Sequence, residues 1–246
     1  MVAAAKTKPS VYRFARFHPA LIADHVLSAT GPKSELIRPV FWPQSPLDSA
    51  CGACTAASAL SILSLVRPAA MLAMSRRKSG ASAIFFEQMR ESWHTGIDVD
   101  ELVERINAMR LPLKLTARFK SDADLEEFAI ATLMKGELVA LSIASLHTRR
   151  TSHLTLAIGA GGSKRGNKTE VDRLFLLDSS CAAPVFREWN AVLTLLPTSR
   201  TKRFGDKLPV TKKRKPLDWG YSAAEWHTET VRITGAIKFH ALTERV

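Results

Sequence analysis

Three short apolar runs decide the fold: Glu137-Leu-Val-Ala-Leu-Ser-Ile-Ala144, His153-Leu-Thr-Leu-Ala-Ile-Gly159 and Arg173-Leu-Phe-Leu-Leu-Asp178. Each is bounded by charged or turn-forming residues, which reads as a strand. Gly161-Gly-Ser-Lys-Arg-Gly-Asn-Lys168 joins the last two as a hairpin connection, so those two strands pair antiparallel. Downstream, Trp189–Leu196 and Thr230–Leu242 are two further strand candidates on either side of a basic segment. Upstream the pattern turns helical. The Ala- and Leu-rich run Cys51–Val66 carries no proline and stops before Pro68, as a buried helix does. Residues 69–93 read as irregular helix, and Asp98–Met109 is amphipathic, with Val99, Leu102, Val103, Ile106 and Met109 on one face. Leu113–Phe119 alternates as a strand, and Ser121–Lys135 is a second amphipathic helix with acids in its first turn. Residues 1–40 are punctuated by Pro9, Pro19, Pro32 and Pro39 and predict an arm with one short helix near Ala20–Leu27. Helices followed by antiparallel strands predict an α+β fold, with N-terminal helices packed on one antiparallel β-sheet.

The chain has 246 residues, 46% hydrophobic and 24% charged, which is ordinary for a folded globular protein and excludes global disorder. The longest apolar stretch, Ala59–Val66, is far short of the ~20 residues of a membrane-spanning helix, so no membrane role is expected. Residues 1–10 lack the apolar core of a secretory signal. Three cysteines do not make a disulfide framework, and a reducing cytoplasm is the expected compartment. Lys and Arg number 35 against 23 Asp and Glu, a formal charge of +12. Residues 200–215 hold eight of those bases and one acid, Asp206. Such a run is ordinarily a solvated loop, and it also attracts polyanions, including nucleic acid, without sequence preference.

The chemistry is carried by a small set of residues. A cysteine at the head of a buried helix meets unpaired backbone N–H groups and the helix dipole, which stabilise a thiolate. A nucleophilic thiol also needs a base, and the base needs an orienting group. His153 opens one strand and Asp178 closes its hairpin partner, which places both at the same end of the sheet. Gln44 lies in the loop before the helix, where its amide and a helix N–H could hold an oxyanion. Cys51 and Cys54 are both candidate nucleophiles. Two other readings of Cys51-Gly-Ala-Cys54 compete. Zinc ligation with Cys181 and His153 lacks a knuckle spacing, and thiol–disulfide exchange calls for a strand directly before the motif, where the chain instead has prolines. Arg149 and Arg150, close before His153, would suit an acidic or carboxylate-bearing substrate.

In these residues the sequence resembles the papain-like cysteine peptidase superfamily. Ser49-Ala-Cys-Gly-Ala-Cys-Thr-Ala-Ala-Ser-Ala59 is similar to the helix start of papain. Gln44-Ser45-Pro46, Cys51-Gly52, His153, Leu177-Asp178 and Trp189 are closer in spacing to the bacteriocin-leader peptidases and the phytochelatin synthases. The resemblance covers residues 40–196. It departs in two places. Gln44 precedes Cys51 by one position more than in either branch, and Asp178 is followed by Ser179 rather than proline. The papain match favours Cys54, while the Gln spacing and the Cys-Gly pair favour Cys51, and the assignment leans to Cys51. The resemblance implies a papain-like architecture with an N-terminal arm (1–40), a catalytic core (41–199) and a basic extension (200–246) that adds a strand. It further implies thiol-dependent acyl transfer on a peptide or protein substrate, as in a cysteine peptidase or isopeptidase. Cys51 or Cys54 would be the nucleophile, His153 the base, Asp178 its orienter and Gln44 part of the oxyanion hole, with no metal or organic cofactor. The alternative is a non-catalytic papain-like adaptor that holds nucleic acid or an acidic partner on its basic surface.

Overall fold

A computed structural model describes residues 10–46, 48–147, 152–197, 216–224 and 226–242. The chain opens with β1 (Val11–Phe17), then a small antiparallel sheet of β2 (Leu21–Ile22), β3 (Ser28–Thr30) and β4 (Leu36–Ile37). Helices α1 (Cys51–Ile62), α2 (Pro68–Leu72), α3 (Ala81–Met89), α4 (Ser92–Thr95) and α5 (Val99–Ala108) follow. Next come β5 (Leu113–Phe119), α6 (Leu125–Met134), β6 (Leu138–Ser145), β7 (His153–Arg165) and β8 (Lys168–Leu177). The described chain ends with β9 (Ala191–Leu195), β10 (Trp219–Ala223) and β11 (Trp226–Ala241). Local rules account for several boundaries. Asp98 caps α5 by accepting the Glu101 N–H at 2.9 Å. No helix among the described residues is long and apolar enough to cross a membrane.

The strands correct the predicted fold class. β6, β7, β8, β9, β10 and β11 pair antiparallel in that order, and β11 returns to β6. They form a closed six-stranded barrel, and strand outweighs helix by 37% to 27%. The expected papain-like α+β arrangement, with helices laid on one antiparallel sheet, is therefore not the fold. Closure depends on pairing β11 with β6, for example Ile237 with Ala140, and on β10 joining β9. Such contacts between remote segments leave no mark on local periodicity. A weaker clue was present. All of Leu138–Ile143 is buried, and a strand covered on both faces reads as a continuous apolar run.

Two cores explain why both faces are apolar. Val139, Leu141 and Ile143 of β6 join Leu174 and Leu176 of β8, Leu193 of β9, Trp219 of β10 and Ile233 of β11 in one cluster inside the barrel. Leu138 and Ala140 point the other way, into a cluster with Leu60 of α1, Phe85 of α3 and Leu102 of α5. β7 serves both cores by the same alternation, interrupted by a bulge. Its register with β8 shifts between Ala157 and Gly159, so Ala157 and Ala160, three residues apart, both face the barrel interior. Gly159 also lets β1 close in, since a Cβ there would collide with the Arg16 carbonyl.

The N- and C-terminal regions differ in detail from expectation. The short helix predicted near Ala20–Leu27 is absent. Leu21–Ile22 pairs with Ser28–Thr30 instead, and Leu27 and Ala29 are buried in the cluster that holds α1, so tertiary burial overrides local propensity. β1, within the predicted arm, runs along β7 from Val11 opposite Arg165 to Phe17 opposite Gly159. The strand predicted at 230–242 is longer, and it lies between β10 and β6 as a stave of the barrel. The basic run 200–215, with Arg149 and Arg150, lies outside the described residues.

Candidate functional site

The head of α1 is fastened to the start of β7. Thr55, one turn in, donates its hydroxyl to the Leu154 carbonyl at 3.2 Å. Gly52 makes the approach possible, since a Cβ there would overlap Ile97 and lie 3.1 Å from the Leu154 side chain. Gly52→Ala is therefore expected to cost about 1–3 kcal/mol by overpacking and to push α1 off β7. A denaturant melt together with the alkylation rate of Cys51 checks it. An unchanged melt and rate would show that the space is not limiting.

Alternation places the histidine and the aspartate. His153 and Asp178 lie in the inward-facing series of β7 and β8, at one end of the barrel. Leu156 pairs with Leu177, so Asp178 continues the ladder opposite Thr155, diagonal to His153 and within side-chain reach. His153 Nε2 lies 2.9 Å from both Asp178 oxygens. That leaves Nδ1 as the ring atom that can turn to the Cys51 thiol, with which the imidazole is electrostatically coupled. The backbone N–H groups of Gly52 and Leu154 lie near enough to the Cys51 sulfur to favour its thiolate. Ala50, just before the helix, has no side chain that could cap the first helical N–H groups.

The electrostatics follow from this arrangement. Burial pushes the Cys51 thiol up, but the hydrogen bond and positive charge of His153, with the two N–H groups, outweigh it and hold the thiol below its ordinary range. Burial also pulls His153 toward neutrality. The hydrogen bonds to Asp178 and Cys51, with the negative charges of both, more than reverse this and push it up to about 10. Burial raises the Asp178 carboxyl, and His153, the Ser180 N–H and the Tyr221 hydroxyl together bring it below the usual carboxylate value. The three groups thus favour a thiolate–imidazolium pair held by a carboxylate.

In the pH dependence of stability the two shifts oppose each other. The histidine contribution is fully present below the unfolded value of 6.5 and is lost as pH rises through about 10, while that of the lowered thiol is lost as pH falls through its folded value. Between 6.5 and the ordinary thiol value of 9.0 the two cancel, so the melting temperature of the unsubstituted protein should be nearly flat there. In Cys51→Ala only the histidine contribution remains, and the melting temperature should fall across the same range; equal slopes in the two proteins would contradict the ion pair.

The other predicted residues have distinct places. Cys54 turns its thiol to the Pro43 carbonyl, 3.7 Å from its sulfur. Burial, then the negative charges of Asp48 and Cys51, push its thiol up to about 12. Gln44 is tied to the segment after Asp178. Its N–H donates to the Ser179 carbonyl at 2.9 Å, and its Oε1 accepts the Ser179 hydroxyl at 3.0 Å. With Oε1 engaged, the amide nitrogen is the part of Gln44 left to donate toward a substrate. Cys181 is buried near Tyr221, 3.6 Å from its hydroxyl. Among the described residues no group of three or more His, Cys, Asp or Glu side chains is placed to hold a metal ion.

Sequence reasoning missed three supports of Asp178. The Ser180 N–H reaches Oδ1 at 2.8 Å. Asn190 accepts the Asp178 N–H at 2.7 Å and donates to its carbonyl at 2.9 Å, clasping the backbone. Tyr221 donates its hydroxyl to Oδ2 at 2.8 Å. Asn190 had a faint signal, as a polar residue between Trp189 and a strand. Tyr221 had none, since it lies beyond the basic run. The chain matches no family model and no curated protein. The chemistry is therefore argued from the site's own geometry.

Proposed function

We propose that this protein is a thiol-dependent acyl-transfer enzyme, a cysteine peptidase or isopeptidase, with Cys51 as nucleophile. The observation that carries the proposal is the His153 ring, hydrogen-bonded to buried Asp178 and electrostatically coupled to a thiol at the head of a buried helix. The order Gln44, Cys51, His153, Asp178 resembles that of the papain-like superfamily, and it supports the same chemistry on motif order alone.

In this mechanism the Cys51 thiolate attacks the carbonyl carbon of a peptide or isopeptide bond. The oxyanion is met by the helix N-terminus and the Gln44 amide. The His153 imidazolium gives its proton to the leaving amine, the C–N bond breaks, and an acyl-thioester remains on Cys51. Neutral His153 then takes a proton from water, or from an acceptor amine, which attacks the thioester and frees the thiolate. Asp178 holds the ring with Nε2–H toward itself and Nδ1 toward sulfur throughout. The cysteines are all free, and a reducing, cytoplasmic setting would keep them so.

The test is covalent trapping. Incubation with p-nitrophenyl acetate should release a burst of nitrophenol and leave one acetyl group on the peptide containing Cys51, detected by mass spectrometry. Acetyl distributed evenly over the three cysteines would remove the basis for the proposal.

A further inference from the structure

We propose that Tyr221 is a positioning residue of this thiol site, holding the Asp178 carboxylate in the orientation that grips His153 Nε2. The inference rests on the acyl-transfer reading and adds to it a residue from a part of the chain that the motif resemblance does not reach.

Asp178 is 0% exposed. A buried carboxylate is costly unless its lone pairs are met by donors. Here the donors come from three directions. His153 Nε2 bridges both oxygens, the Ser180 N–H meets Oδ1 and the Tyr221 hydroxyl meets Oδ2 at 2.8 Å. Two of these follow from the β7–β8 hairpin and the turn after β8. The third is delivered by β10, which Leu193 of β9 and Glu229 of β11 flank at Tyr221. Tyr221 belongs to the barrel-interior cluster, so its ring is packed and its hydroxyl arrives at Asp178 from inside. With donors fixed on both oxygens, the carboxylate cannot rotate away from the imidazole. Closing the barrel thus completes the site, and the strand after the basic segment becomes part of its machinery.

The titratable groups facing this cluster are His153 on β7, Cys51 on α1 through the imidazole, Tyr221 on β10, and Cys181 on the segment after β8. Burial beside Asp178 raises the Tyr221 phenol far above its ordinary value. It therefore stays protonated, and a donor, over the whole working range.

The experiment uses the full chain with Tyr221→Phe, which removes only the hydroxyl. The Asp178 carboxyl is followed by NMR with 13C-labelled aspartate, its signal assigned by its loss in Asp178→Asn. A lost hydrogen bond to a carboxylate should raise the Asp178 pKa by about one unit or more. The acid limb of Cys51 alkylation by iodoacetamide should move up in pH with it. A purely structural tyrosine would lower the melting temperature and leave both titrations in place, and that result overturns the proposal. A raised carboxyl pKa with an unmoved alkylation profile breaks the link between Tyr221 and the thiol, and also overturns it. If the unsubstituted protein shows no acid limb at all, the acyl-transfer reading is what fails. The carboxyl titration then still judges the Tyr221 clamp on its own.

Discussion

Cys51→Ala should abolish the proposed acyl-enzyme formation, with a loss of at least about 10^3-fold in turnover of any ester or peptide substrate, whereas Cys54→Ala should leave turnover within a few fold. The two cysteines sit one helical turn apart, yet their surroundings oppose each other. Cys51 has an imidazole and two backbone N–H groups around its sulfur. Cys54 has a carbonyl oxygen and the nearby charge of Asp48. A thiolate is favoured in the first setting and penalised in the second, so only Cys51 holds a useful thiolate population near neutral pH. Burst kinetics with p-nitrophenyl acetate on the two variants measure this directly. A burst that survives in Cys51→Ala and vanishes in Cys54→Ala would invert the assignment.

The second large effect is on alkylation. At pH 6, His153→Ala should slow the reaction of Cys51 with iodoacetamide by about tenfold. Without the imidazolium, the burial of Cys51 is no longer outweighed and the thiol returns to or above its ordinary range. Each unit of rise removes tenfold of the thiolate, while the intrinsic nucleophilicity of the remaining thiolate gains only about threefold per unit. Loss of thiolate therefore wins at low pH. The gap should narrow steadily toward pH 9, where an unassisted thiol ionises by itself. A constant ratio at all pH values would mean that His153 shapes access to Cys51 and does not set its charge.

The adaptor alternative depends on the basic run 200–215, which lies outside the described residues. No geometric observation favours it over the thiol chemistry.

Much of the site was legible before the fold was known. A helix head with cysteine, a strand opening on His153 and a strand closing on Asp178 are local signals, because helix and strand periods and turn residues act over a few neighbours. The hairpin between β7 and β8 then brings His153 and Asp178 together by pairing rules alone. The choice between Cys51 and Cys54 was not legible. A helix start offers its N–H groups to either thiol, and only the docking of α1 on β7 shows which sulfur meets the ring.

The amino-acid sequence by itself determined the main helices α1, α5 and α6 and the strands β5 to β9 and β11, and which residues could be nucleophile, base and orienter. Those properties are written in spacing and side-chain chemistry. Tertiary structure alone decided that the sheet closes into a barrel, that Gln44 is tied to Ser179, and that Tyr221 reaches Asp178 from inside. Each of these joins segments separated by many residues. The free energy of such contacts comes from burying two remote apolar surfaces together, and neither surface carries the address of the other.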